Sequence, residues 1–278
     1  RREIDMISRL SHACIVPVYD SGEFEGVPYI VMKLIEGTSL CELLRRGRTF
    51  TIEESLSIIT GIAEALEYVH TKGILHRDLK PANIMIGNDL SVTLLDFGLA
   101  HVLNFTALKG EQEIVGTFGF MSPEATGIVR KPVDERSDLY SLGIVMYRLL
   151  AGELPFTARE VGKLLHEQIS SEPPPLRKCV PGIPCVIESI VQRLLYKEPD
   201  QRYQSARGLL HDLRRFVKGE QDFVIGERDP KLKLNFQTRL IGRDDEVAYL
   251  RSPYHEAAKN NGSICLIHGE PGVGKTAI

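Results

Sequence analysis

Residues 76–86 read HRDLKPANIMI and residues 94–100 read LLDFGLA. Between them the short apolar runs NIMI and VTLL bracket a turn signal at Gly87 and Asn88, which predicts a β-turn-β unit. The loops at its two outer ends then carry Asp78, Lys80, Asn83 and Asp96. Phosphoryl transfer asks a protein to position a hydroxyl and neutralise phosphate charge, with little covalent chemistry of its own. Two carboxylates, an ammonium and a carboxamide on neighbouring loops suit that task, and whatever surrounds them must hold the unit rigid.

Upstream, apolar patterns from Val16 to Ser21 and from Val27 to Leu34 flank EFEG and predict a β-hairpin. After Glu36 and Gly37 the period becomes helical. SLCELLRR is a short amphipathic segment, and Thr51 with Glu54 forms a capping-box signature. Behind that cap, Ile58, Ile59, Ile62, Ala65, Leu66 and Val69 recur at helical spacing, and Lys72 and Gly73 supply the stop. From Ser137 to about Val217 the chain reads as helices interrupted by EPPPLR and VPGIP. The expected class is α+β, with a small strand-rich piece ahead of a large helical one. Residues 218–240 are charged and weakly patterned, which suits a linker or a surface-laid extension.

The D-x-x-x-x-N spacing in HRDLKPAN, followed by DFG, resembles the catalytic and metal-binding loops of eukaryotic-type protein kinases. The similarity runs from Arg1 to about Phe216. It implies a two-lobed kinase fold, with residues 1–36 as part of a β-rich small lobe and residues 37–217 as a mainly helical large lobe. It also implies ATP and Mg2+ as cofactors and proteins with serine or threonine hydroxyls as substrates. Lys80, two places after Asp78, matches the serine/threonine version. By the resemblance, Asp78 accepts the hydroxyl proton, Lys80 offsets phosphate charge, and Asn83 and Asp96 bind the metal. GTFGFMSPE is similar to the family's substrate platform, so Thr117 should bond Asp78 and Lys80, and Glu124 should pair with Arg202. Asp138 in SDLYSLG should accept backbone N–H bonds from the catalytic loop.

RREIDMISRLSHACIVPVYD resembles the family's third helix and the strand after it, making Glu3 the usual partner of a nucleotide-binding lysine. Met32 would guard the back of the adenine pocket, with Lys33 to Ile35 as the hinge. The family's glycine-rich loop and that lysine are expected upstream of Arg1, so this stretch alone is expected to be a poor catalyst. Arg77 matches an arginine that binds phosphate on the activation segment, where Thr106 and Thr117 are candidates. Glu111 or Glu113 standing in for phosphate is one reading of that segment, and two solvated glutamates is the other. His76 reads as a packed core histidine.

Residues 264–278, ICLIHGEPGVGKTAI, pose a separate question. An apolar strand runs into G-x-x-x-x-G-K-[ST], with Gly269, Gly274, Lys275 and Thr276 in register. Such glycines let backbone N–H groups turn around phosphates, and Thr276 can reach Mg2+. Residues 241–278 resemble the opening β-P-loop-α unit of AAA-like signal-transduction ATPases, an α/β NTPase fold, as in multidomain signalling kinases. A rival reading makes the kinase-like part a non-catalytic module that governs this ATPase. Intact Asp78, Lys80, Asn83 and Asp96 argue against it.

Composition narrows partners mainly by exclusion. A formal charge of -3 offers no basic face that would suggest nucleic acid. No apolar run reaches the roughly 18 residues of a membrane span, and Arg148 interrupts the most apolar helix candidate. The five cysteines are scattered without C-x-x-C pairs, which fits a reducing, cytoplasmic setting. The oligomeric state is not legible.

Overall fold

The computed structural model describes residues 10–25, 27–97, 118–158 and 160–229. Strands β1 (Val18–Phe24) and β2 (Val27–Met32) form the expected antiparallel hairpin. Phe24 pairs with Val27, and Glu25 takes a left-handed φ of 51° at the turn between them. A bulge between Val18 and Asp20 shifts the register. Strands β3 (Thr38–Ser39), β4 (Ile84–Ile86) and β5 (Val92–Leu94) make a second antiparallel sheet with β4 in the middle. Ser39 caps helix α1 (Leu40–Arg45), accepting the Glu42 N–H.

Helix α2 (Ile52–His70) starts where the capping box predicts. Thr51 Oγ1 accepts the Glu54 N–H at 3.2 Å, and Glu54 Oε2 accepts the Thr51 N–H at 3.0 Å. Each arm satisfies a donor that the first turn would otherwise leave orphaned, and the cap contributes about 1 kcal/mol. The inward stripe of Ile58, Ile59, Ile62, Ala65, Leu66 and Val69 is fully buried. Gly61 permits the helix to lie close to β5: a Cβ there would stand 3.3 Å from Cβ of Val92. The helix therefore braces the β4–β5 unit.

Helix α3 (Glu135–Ala151) is the centre of the helical part. Leu139, Tyr140, Leu142, Ile144, Val145 and Met146 are all fully buried, so it lacks a wide polar face. Helices α2, α5 (Leu176–Cys179) and α6 (Cys185–Leu194) pack against it, and α4 (Val161–Ser170) is tied to it by Tyr140 Oη donating to Gln168 Oε1. At Gly143 a Cβ would be 2.7 Å from Cβ of Leu194, so α3 and α6 cross where no side chain intervenes. Helix α7 (Ala206–Val217), capped by Ser205, closes the bundle on α2 and α6.

The charged stretch after α7 begins as a surface-laid extension. Over residues 218–229, Phe223 and Ile225 pack on the core, and Asp229 is buried. Gln204 N and Ser205 Oγ donate to the Asp229 carboxylate at 2.6 and 3.1 Å, and Arg193 Nη1 donates to Ile225 O at 2.9 Å. Gly208 makes this possible, because a Cβ there would overlap the Asp229 carboxylate. By contacts the chain divides into two compact units, residues 1–231 and 232–278. The second unit lies outside the described residues, and with it Gly269, Gly274, Lys275 and Thr276. Among the described residues no helix is long and apolar enough to cross a membrane.

Candidate active site

The site is built from α3 upward. Asp138, in the first turn of that helix, is almost fully buried, and a buried carboxylate requires donors. It accepts the backbone N–H groups of His76 and Arg77, both at 2.8 Å, and lies 2.8 Å from His70 Nε2 at the end of α2. Burial alone would raise its pKa, but the bond and charge of His70, with His76 beside it, hold it below the ordinary value. Arg77 has a left-handed φ of 62°, strained for a residue other than glycine. Asp138 thus anchors a turn the chain would not otherwise prefer. His76 is fully buried against Phe97, ring centres 4.6 Å apart, and burial lowers its pKa.

That turn delivers Asp78. Lys80 Nζ lies 2.9 Å from Asp78 Oδ2. A 3-10 turn over Pro81–Asn83 then brings Asn83 back, and its Nδ2 donates to Asp78 O at 2.8 Å and Asp78 Oδ2 at 2.9 Å. With its amide hydrogens engaged there, Asn83 keeps Oδ1 as an acceptor for something else. Leu95 N donates to Asn83 O at 2.9 Å, linking the two loops directly.

Asp96 follows β5 with a second left-handed φ, 57°. Its carboxylate has no hydrogen-bond donor among the described residues. Burial raises its pKa; His76 and Lys80 oppose the shift, and the like charge of Asp78 adds to it. A half-buried carboxylate with no donor among the described residues, on a loop tied through Leu95 to the backbone of Asn83, fits a hard divalent cation that the Asn83 amide oxygen could share. Among the described residues no three His, Cys, Asp or Glu side chains cluster as metal ligands. Mg2+ held by one or two protein oxygens plus phosphates needs no such cluster.

Below these loops, Glu124 and Arg202 form a fork-to-fork ion pair, Nη1–Oε1 2.7 Å and Nη2–Oε2 2.8 Å, with both side chains buried. Arg202 also donates to the carbonyls of Tyr196, Arg136 and Lys197, and Ser137 Oγ donates to Glu124 Oε1. Burial pushes the Glu124 pKa up, but the Arg202 bonds and charge bring it below the ordinary value. At the other edge, Met32 ends β2 half-buried, Lys33 N donates to Pro17 O at 2.9 Å, and Ile35 is half-buried. Glu3, Thr106, Glu111, Glu113 and Thr117 lie outside the described residues.

Sequence reasoning missed three residues. His70 continues the buried stripe of Ile59, Ala63 and Leu66, and a titratable group at such a position is the signal that would have found it. Gln168 Nε2 donates to Gly119 O at 2.7 Å, which fixes the segment leading into SPE. Lys197 Nζ donates to Gln168 O at 2.8 Å and lies 4.2 Å from the Phe156 ring centre; burial lowers its pKa to about 8.

The protein kinase domain family model matches residues 1–213. A Streptomyces coelicolor protein named "Probable serine/threonine-protein kinase" is 38% identical over 79% of this chain and 33% of its own length. The serine/threonine-protein kinase PknB of Mycobacterium tuberculosis is 36% identical over 79% of this chain and 36% of its own. PknB of Mycolicibacterium smegmatis is 38% identical over the same shares. The chain therefore spans about a third of the length of these curated relatives.

Proposed function

The chain belongs to the protein kinase family, and from that premise we propose that the protein containing it transfers the terminal phosphate of ATP to serine or threonine hydroxyls of protein substrates. Asp78 orients the acceptor hydroxyl and takes its proton, and Lys80 places positive charge where the phosphoryl oxygens pass. Asn83 Oδ1 and Asp96 hold Mg2+, which neutralises the triphosphate when bound. Met32, Lys33 and Ile35 border the adenine, and Glu3 positions the nucleotide-binding lysine. Arg77 and Thr117 tie the activation segment to the catalytic loop. Asp138 and the Glu124–Arg202 pair are positioning groups.

One observation carries this reading: Asp78, Lys80 and Asn83 contact one another on a strained turn that a buried carboxylate anchors. The Ser/Thr specificity rests on Lys80 and on the names of the relatives. Residues 241–278 begin a P-loop ATPase in which Gly269, Gly274, Lys275 and Thr276 hold a second nucleotide phosphate and its Mg2+. That unit makes the whole a multidomain signalling protein. A cytoplasmic setting agrees with the free cysteines at 14, 41, 179 and 185.

The test is phosphate transfer from labelled ATP by the full-length protein, wild type against Asp78→Asn. The variant should lose about 10²–10⁴-fold in rate, the usual contribution of a positioned acid or base. Equal incorporation would remove Asp78 from its role and favour a non-catalytic regulatory module.

A further inference from the structure

Between the outer face of α7 and residues 220–228 lies a cleft of about 730 Å³. Helical periodicity brings Arg207, His211, Arg214, Arg215 and Lys218 to one wall, and Arg228 faces them from the docked segment. Five permanent cations and two carboxylates, Glu220 and Glu227, are the charged groups among the described residues that line it, on a chain whose formal charge is -3. The cleft is a positive island on an acidic protein, and concave walls focus such a field.

The two carboxylates are both engaged by a single arginine. Arg215 donates to Glu220 at 2.7 Å and to Glu227 at 3.2 Å, and its guanidinium lies 4.3 Å from the Phe223 ring centre. Arg207 and Arg214 pair at 3.3 and 2.9 Å with Glu67 and Glu64 of α2, in solvent-exposed contacts that exchange readily. Lys218 and Arg228 have no acidic partner among the described residues. Two exchangeable guanidinium forks and two cations with no acidic partner among the described residues therefore border one cavity.

We propose that this cleft docks a phosphorylated segment of a partner protein, with Arg207 and Arg214 taking the phosphate oxygens and Lys218 and Arg228 closing around the charge. A discrete dianion suits the cavity better than a polyanion does, because a nucleic-acid strand would run its phosphates past Glu220 and Glu227. A flat anionic bilayer would not enter a concave site. Val217 and Val224, both well exposed and next in sequence to Lys218 and Phe223, give apolar neighbours of the phosphorylated residue a surface. The ligand class rests on the kinase reading, since a phosphorylated segment is that reaction's product. Binding itself needs no turnover.

The test uses full-length protein without ATP and a fluorescein-labelled degenerate peptide library fixed only at a central phosphothreonine. Fluorescence anisotropy should show at least about tenfold tighter binding than for the unphosphorylated library, about one decade of Kd. Arg207→Gln with Arg214→Gln should abolish that preference, Arg228→Gln should weaken it, and all should melt as wild type does. Phosphate transfer to a generic peptide should stay within about twofold, because none of these residues touches the site around Asp78. The Asp78→Asn protein should still bind the library, so failure of docking and failure of the kinase reading are read separately. Equal binding of the two libraries, or unchanged preference in the double variant, would overturn the proposal. So would loss in that variant of binding to anionic vesicles or single-stranded oligonucleotide while phosphopeptide binding persists.

Discussion

Two buried aspartates fix two loops of this molecule, and they are ionised at different cost. Asp138 accepts backbone N–H groups from the turn at residues 76–77, and Asp229 accepts one from Gln204 together with the Ser205 hydroxyl. Burial acts in the same direction on both carboxyls. The Asp138 pKa nevertheless falls, because His70 sits 2.8 Å away in addition to two backbone donors. The Asp229 pKa rises: burial outweighs its hydrogen bonds, and Arg193 is 3.6 Å distant. A well-surrounded charge holds the strained turn at Arg77, whereas an under-compensated one pins a covering segment. The difference lies in the partners, because both groups are out of water.

If the partner decides the outcome, the largest effect should follow from removing one member of the best-matched pair. Glu124→Ala leaves the guanidinium of Arg202 buried and uncompensated, and should cost about 3–5 kcal/mol in denaturant unfolding. A loss of less than about 1 kcal/mol would mean that Arg202 does not depend on Glu124 for compensation.

The two aspartates should also respond to pH in opposite directions. With its folded pKa depressed, Asp138 contributes stability that is complete above its ordinary value of 3.8 and is lost as pH falls through the lower folded value. For Asp229 the sign reverses. Its folded pKa is raised, so the native state binds the proton more tightly, and acidification from that raised value toward 3.8 adds stability. Urea melts of wild type against Asp138→Asn should therefore differ by a constant amount above pH 3.8. The difference from Asp229→Asn should change within the window between 3.8 and the raised value. Parallel profiles for the two variants would contradict the assignment. The smallest expected effect is Asp229→Asn at neutral pH, within about 1 kcal/mol of wild type, because the amide keeps an acceptor and removes a buried charge.

Much of this was legible in the sequence wherever the signal was local. The capping box at Thr51 and Glu54, the hairpin ahead of Lys33 and the β-turn-β unit between Asn83 and Leu95 each declare themselves within a few residues. The grouping of Asp78, Lys80 and Asn83 was legible by spacing. Their anchoring was legible only through the resemblance, since Asp138 acts across 61 residues on Arg77. Asp229 was not legible at all, because one buried aspartate in a charged run looks like its solvated neighbours until Gly208 and Ser205 are seen to receive it. His70 was hidden for the opposite reason: it occupies a position that apolar periodicity assigns to the core. The bulge in β1 left no signal beyond its alternation.

The most direct test of the account measures phosphate transfer by full-length Asp138→Asn and Asp229→Asn side by side, both confirmed folded. If the turn that carries Asp78 is catalytic as proposed, an ionised anchor beneath it predicts a loss of about 10²-fold or more for Asp138→Asn, as expected when a reacting group is displaced by about 1 Å. Asp229→Asn should stay within about twofold of wild type. Equal rates in the two variants would mean that the Asp138 carboxylate does not organise the site.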